Sequence, residues 1–368
     1  MRLLMISKAC LVGTYQTKLE AIAAFEDIEL VVIVPPVWND ASGPVQLERG
    51  HTKGYKLIVD PIRFNGDFHL HYYPKLKQHL TEFQPDIVHI DEEPYNLATW
   101  LAWRQARKIN AKSLFFSWQN LNRNYPFPFS RMERQVLAGI DYAILGNREA
   151  VDVWRAKGYA GKLRVIPQFG VDPEIFQPKR HNSGRSFVIG SANRRLVPEK
   201  GIDLLLDAAA KLPGVWRVQI AGEGPQRPFL ENYARELGIQ DRVQFDGAIS
   251  SAQMPAYLQQ LDVLVLSSRT LPNWKEQFGR ILIEAMASGV PVIGSDSGEI
   301  PHVIGTAGLV FPEGDSEALN DHLLNLMRSD DLRAQLAKQG RHRILTNYTQ
   351  QEIAAQTVAV YRDMLAEN

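Results

Sequence analysis

The chain has 368 residues, 45% of them hydrophobic, enough for two domains with real cores. Lys and Arg number 41 against 41 Asp and Glu, and that zero net charge argues against nucleic acid as a main partner. The single cysteine, Cys10, excludes an internal disulfide framework and makes a reducing cytoplasm the natural compartment, while no run approaches the ~18 uninterrupted apolar residues of a membrane span.

The N-terminal MRLLMISKAC lacks the longer apolar core of a signal peptide, and residues 3–6 read as a first strand. Residues 7–16 follow as a loop containing Gly13, and 19–25 are helix-like. A buried strand at 30–34 stops at Pro35-Pro36, and the polar, Gly-containing stretch 37–54 reads as loop. A strand at 55–62, a helix at 73–83 and the apolar strand IVHI at 87–90 come next, the last ended by Asp91-Glu92-Glu93-Pro94. His89 inside that strand reads as a satisfied interior histidine rather than a functional one. The amphipathic helix 97–109 carries Trp100, Trp103, Arg104, Arg107 and Lys108. It is either a half-exposed domain helix or a point of peripheral membrane contact. Strand 113–116 leads into Ser117-Trp118-Gln119-Asn120 and a Pro-rich loop at 125–129. Helices at 131–138 and 149–157 alternate with strands at 142–145 and 163–166.

Residues 171–185 change character, with Asp172-Pro173, Pro178 and the polar run KRHNSGR, and are the best candidate linker. The alternation then restarts, with strands expected at 187–190, 216–221, 243–245, 263–266, 292–294 and 309–311. Ile202, Leu205, Leu206 and Ala209 form one helical stripe, and a last helix spans 350–366. Continuous apolar strands alternating with helices mean parallel sheets covered on both faces. The fold class is therefore α/β, with two doubly wound, Rossmann-like domains at 1–180 and 186–345 facing a cleft. Ligands in such folds bind at the carboxyl ends of the strands.

The stretch 275–296, KEQFGRILIEAMASGVPVIGSD, is the densest in chemistry. Helix propensity is high from Arg280 onward, Gly289 suits the position after the helix, and Pro291 forbids continuation, so a helix is expected over about 278–288. Glu284 is the one acid in an otherwise apolar row, on the same side as Arg280. Glu276 stands before the helix, and Gly279 lets a ligand approach the first-turn N–H groups. Two carboxylates around a phosphate-ready helix start suit a nucleotide sugar; the plainer alternative is a capping Glu276 and a solvated Glu284. Earlier, GSANRRLVPEKG places Arg195 and Lys200 around a turn before a helix, where two cations can converge on a diphosphate or stay solvated.

Together these two stretches resemble the E-x7-E and R-L-V-P-E-K-G signatures of family 4 retaining glycosyltransferases, which have the GT-B fold. Gln277 stands where that family usually has Gly, and Arg194 where Gly is common. The resemblance implies Glu276 at the transferred sugar with Phe278 and Gly279 beside it, Glu284 at the ribose, and Arg195 with Lys200 at the leaving diphosphate. It further implies Gly222 in a G-x-G turn, Ala248 and Ile249 beside the nucleobase, and Gly13 in a glycine loop near donor and acceptor. The final helix, 350–366, would cross back to the first domain. No histidine follows strand 113–116, where many relatives have one, so Gln119 or Asn120 is the substitute there. Glu92 and Glu93 would either bind acceptor hydroxyls or cap a loop, and Trp118 and Tyr125 would either stack on sugars or pack.

No cofactor is implied, and no Asp-x-Asp, HExxH or Cys cluster supports a metal. No strand opens into G-x-G-x-x-G, which disfavours a nicotinamide enzyme. The implied function is transfer of a sugar from a nucleotide diphosphate donor to a hydroxyl of a glycan, glycolipid or small molecule, with retention. The alternatives are a nucleotide-sugar epimerase or phosphorylase-type enzyme, or a nucleotide-sugar-binding protein without transfer activity.

Overall fold

A computed structural model describes residues 1–40, 43–178 and 186–366. Residues 179–185, the polar half of the expected linker, lie outside the described residues. The chain divides into two compact units, one formed by Met1–Gly170 with Gln350–Asn368 and the other by Val171–Thr349. The first unit thus ends earlier than the expected boundary at 180. Residues 171–178 join the second unit, where Arg341 Nη1 and Nη2 donate to the carbonyls of Phe176 at 2.5 Å and Pro173 at 3.2 Å.

Unit 1 runs β1 (Arg2–Ile6), α1 (Thr17–Ala23), β2 (Glu29–Val34), β3 (Val37–Asp40), β4 (Gly43–Gln46), β5 (Lys56–Val59), α2 (Leu76–Phe83) and β6 (Ile87–Ile90). It continues with α3 (Leu97–Lys108), β7 (Lys112–Ser117), α4 (Phe129–Gly139), β8 (Tyr142–Leu145), α5 (Glu149–Ala156) and β9 (Lys162–Val165). Seven strands form a parallel sheet in the order β5-β2-β1-β6-β7-β8-β9. Because side chains alternate across a strand, Leu4 and Ile6 pack into one core layer and Leu3 and Met5 into the other. Both faces are dry, which is why these strands are continuously apolar rather than alternating. The stretch expected as loop at 37–54 instead contains an antiparallel hairpin of β3 and β4, paired Val37 to Gln46.

Unit 2 runs β10 (Phe187–Arg195), α6 (Ile202–Ala210), β11 (Trp216–Glu223), α7 (Arg227–Glu236), β12 (Val243–Gly247), α8 (Met254–Leu258), β13 (Val263–Leu266) and α9 (Arg280–Ala287). Then follow β14 (Val292–Ser295), α10 (Ile300–Ile304), β15 (Leu309–Phe311), α11 (Ser316–Arg328) and α12 (Asp330–Asn347). Its parallel sheet has the order β12-β11-β10-β13-β14-β15. All six strands point the same way, so the loops that leave β10, β11, β12, β13 and β14 gather along one edge. Those loops, with the end of β10 and helix α9, hold the chemistry-bearing motifs of this half. Strand β10 runs five residues past the expected end at 190, with a register shift between Ala192 and Arg195.

The last helix, α13 (Gln350–Leu365), belongs to unit 1. Its Ile353, Ala354, Val358 and Tyr361 enter the same core layer as Leu3 and Met5. Among the described residues no helix is long and apolar enough to cross a membrane.

Candidate active site

The site in unit 2 is built from three loops locked onto one another. Gly201 has φ of 59°, a conformation that favours glycine, and a side-chain carbon there would sit 2.1 Å from the Ser267 carbonyl oxygen. The Ser267 hydroxyl donates to the carbonyls of Gly201 at 2.8 Å and Lys200 at 3.1 Å. The turn after β10 is thereby pinned against the end of β13. The Lys200 ammonium then reaches Glu276 Oε2 at 2.7 Å, and the Ser268 hydroxyl donates to the same oxygen at 2.8 Å. Lys200 also stands 4.6 Å above the Trp274 ring. A third loop closes on the backbone. The Glu299 N–H donates to the Glu276 carbonyl at 3.3 Å, and Gly298, at φ 55°, comes so close that a side-chain carbon would lie 2.0 Å from that carbonyl oxygen. Residues 76 positions apart, Lys200 and Glu276, are thus one ion pair at the strand ends.

Gly279, in the left-handed region at φ 74°, precedes α9 and moves the helix start to Arg280, two residues later than expected. Phe278 is nearly buried, its ring 6.0 Å from that of Tyr348. Glu284 is not a solvated acid: burial pushes its carboxyl pKa up, and Arg280, whose Nε donates to Glu284 Oε1 at 2.8 Å, pulls it back. Arg195 ends β10 exposed to solvent, and no contact among the described residues joins it to the Lys200–Glu276 pair. At the end of β11, Gly222 has φ of 133° and packs where a side-chain carbon would be 2.1 Å from the Asn193 carbonyl oxygen. Ala248 and Ile249, after β12, line a cavity of about 350 Å³ with Gln219, Gln244, Asp246 and Tyr257. Gln219 Oε1 and Asp246 Oδ2 are buried there without hydrogen-bond partners.

In unit 1 the expected acceptor-side residues gather at the carboxyl ends of β1, β6 and β7. Glu92 is buried and paired with the Lys8 ammonium, and its Oε1 lies 3.3 Å from His71 Nε2. Burial alone would raise its pKa, but Lys8 and His71 outweigh that and hold the carboxyl at about 2. Glu92 therefore anchors Lys8 and offers no free carboxylate to an acceptor. Glu93 accepts from the Ser117 hydroxyl at 2.6 Å and the Trp118 N–H at 3.0 Å. Burial pushes its carboxyl up to about 7 against those two hydrogen bonds. Gln119 Nε2 donates to the Leu121 carbonyl at 3.0 Å, and its Oε1 accepts from the Tyr125 hydroxyl at 3.0 Å. Asn120 Nδ2 donates to Glu149 Oε2 at 3.3 Å. Trp118 donates to Gln168, and Tyr125 stacks on Tyr95 at 4.0 Å, so both aromatics are engaged in packing. The Gly13 N–H donates to Glu48 Oε2 at 2.6 Å. His89 is interior but only half satisfied: Nδ1 meets the Tyr361 hydroxyl at 2.6 Å, while Nε2 has no hydrogen-bond partner. Burial and the nearby Lys18 push its pKa well down, so the ring is neutral.

Sequence reasoning missed Ser268, Trp274, Lys8 and His71. Ser268 and Trp274 flank the Glu276 loop, and a hydroxyl directly after an apolar strand was the available signal. Lys8 and His71 lie far from Glu92 in sequence and carried no local signal. Among the described residues no three His, Cys, Asp or Glu side chains are grouped as a metal site would require.

Two parallel α/β units of this topology, the second with its motifs at the strand ends, define the GT-B class. Residues 171–343 match the family model described as glycosyl transferases group 1, and residues 20–175 the one described as glycosyltransferase family 4. The two matches together span most of the chain, which belongs to the family 4 glycosyltransferases. It is 35% identical over 213 residues to an MMP alpha-(1->4)-mannosyltransferase of Mycolicibacterium hassiacum, an alignment covering 56% of this chain and 49% of the relative. The chain spans about half the length, or less, of such curated relatives. Its fold is shared with sucrose-phosphate synthase from Thermosynechococcus elongatus, at TM-score 0.73, 21% identity and full coverage of both chains. It is shared as well with HepE of Anabaena in complex with UDP, at TM-score 0.74 and 16% identity over 98% of this chain and 99% of that one.

Proposed function

We propose that this chain transfers a sugar from a nucleotide diphosphate sugar to a hydroxyl of a glycan, glycolipid or small molecule, with retention of anomeric configuration. The observation that carries the reading is the Lys200–Glu276 ion pair beside the Gly279-led start of α9. It sets a cation and a carboxylate beside the N-terminal turn of α9, the positive end of the helix dipole, at the strand ends of unit 2. The relative named for mannosyl transfer and the neighbour solved with UDP support the same reading.

In this reading Lys200, Arg195 and the first turn of α9 take the diphosphate. Glu284 takes ribose hydroxyls, and Glu276, with Phe278 and Gly279, takes the sugar. Ala248 and Ile249 hold the base through backbone groups, while Gly222 and Gly13 allow close approach of the chain to the donor. Gln119, Asn120 and Glu93 shape the acceptor side, with Glu92 acting behind them by fixing Lys8. As the bond from sugar C1 to the phosphate oxygen breaks, the acceptor oxygen bonds to C1 on the same face. The departing phosphate receives the acceptor proton, so no protein nucleophile is required. Charge grows on the diphosphate in the transition state, where a preorganised Lys200 stabilises it more than in the ground state. No metal or cofactor is invoked.

A thermal-shift panel of UDP-, GDP- and ADP-sugars tests donor binding. One nucleotide class should stabilise the folded chain with the logarithm of its concentration, by about 2.7 kcal/mol at a hundredfold excess over Kd, and so raise the melting temperature. A panel in which no nucleotide sugar shifts the transition would overturn the proposal.

A further inference from the structure

A second feature of unit 1 lies outside the candidate active site, on the helix whose tryptophans and cations left peripheral membrane contact open. Between α3 and α4 runs an open groove of about 920 Å³. Its floor is Trp103, whose Nε1 donates to the Gly139 carbonyl at 3.0 Å. Gly139 keeps that floor shallow, since a side-chain carbon there would meet the Trp103 ring at 2.7 Å. Trp100 is fixed beside it by a 2.8 Å hydrogen bond to Gln135. The walls carry Arg104, Arg107 and Lys108 from α3 and Arg131 from α4. At the rim stands Phe127, 76% exposed, the most exposed large apolar side chain among the described residues.

No carboxylate lines this groove, although acids equal bases in the chain as a whole. Among the described residues none of the four cations has an ion-pair partner. Arg104 and Arg107 lie instead over the rings of Trp100 at 4.5 Å and Trp103 at 5.3 Å. Four uncompensated cations on one face attract an anion. Residues 104, 107 and 108 share one side of α3, and Arg131 faces them from α4, so the positive charge is spread over a surface rather than focused on one point. An exposed phenylalanine and a half-exposed tryptophan on the same face add an apolar element that a soluble polyanion would leave in water. At a bilayer the rings sit at headgroup depth and the cations meet lipid phosphates.

We propose that the groove between α3 and α4, with Phe127 at its rim, is the surface by which this chain docks on an anionic lipid bilayer. The experiment is co-sedimentation of the full chain with phosphatidylcholine vesicles, with and without phosphatidylglycerol. Binding is expected only when phosphatidylglycerol is present, and should weaken as salt screens the contact. Replacing Arg104→Ser and Arg107→Ser together should lower vesicle affinity roughly tenfold or more. Phe127→Ser should lower it as well, while leaving the salt dependence in place. These side chains are exposed, so both variants are expected to melt with the wild type, and that melt is the control for folding. The proposal fails if vesicles with phosphatidylglycerol are not bound. It fails equally if both variants bind them as the wild type does, if only soluble dextran sulfate is bound, or if the variants change the mass of the protein in solution instead of its vesicle binding.

Discussion

Replacing Glu276 by glutamine separates the parts of the proposed mechanism most sharply. At 2.7 Å the Lys200–Glu276 attraction has a gross size of about 6 kcal/mol at an effective dielectric near 20. Both side chains are largely buried, at 19% and 11% exposure, so desolvation offsets most of it. A net coupling of about 1–3 kcal/mol should remain, measurable by a double-mutant cycle with Lys200→Ala in chemical denaturation. Glutamine keeps the shape and an acceptor for the Ser268 hydroxyl but drops the charge. The Lys200 ammonium then has no competing carboxylate, so affinity for the nucleoside diphosphate product should hold or rise. Turnover should fall by the equivalent of about 2–4 kcal/mol, or roughly 30- to 1000-fold, because the sugar loses its carboxylate partner. Lys200→Ala should weaken both product affinity and turnover. The assay is calorimetry with UDP and GDP beside initial rates with the true donor. If Glu276→Gln abolished product affinity, or if neither variant changed either quantity, the division of roles would be wrong.

Glu284→Ala should reduce affinity for the nucleoside diphosphate roughly tenfold or more while sparing turnover at saturating donor, since a ribose contact is made equally before and during reaction; a variant with full affinity would remove Glu284 from the donor site. Activity should survive EDTA, because cations and helix N–H groups are proposed to hold the diphosphate; complete loss restored only by Mg²⁺ or Mn²⁺ would refute this. Glu93 yields a pH signature. Its folded pKa, about 7, lies above the ordinary carboxyl value of 4.5, so its contribution favours the folded state below pH 4.5 and is lost as pH rises through 7. Relative to wild type, Glu93→Gln should therefore gain melting temperature steadily between those limits, and a difference that stays flat with pH would show that Glu93 is not perturbed.

The sheet strands were legible because burial on both faces demands continuous apolar runs, as in residues 30–34, 87–90 and 263–266. The end of α9 was legible for a different reason, since Gly289 and Pro291 are local signals. The hairpin at Val37–Asp40 and Gly43–Gln46 was not, because it is short, half-exposed and contains Pro44, and so looks like loop. Distance in sequence hid the rest. The burial of Glu92 depends on Lys8 and His71, and the charge partner of Glu276 is Lys200; neither pairing leaves a trace in a local window. The pairing of Arg280 with Glu284, by contrast, is a four-residue helical neighbour relation and could be read directly.

The central claim is sugar transfer with retention, and the most direct measurement is product analysis with an isotopically labelled nucleotide sugar that the protein binds, in the presence of candidate hydroxyl acceptors. The account predicts release of the nucleoside diphosphate and a labelled glycoside whose anomeric configuration matches that of the donor. A glycoside of inverted configuration, an isomerised or phosphorolysed sugar, or donor that stays intact with every acceptor would contradict it.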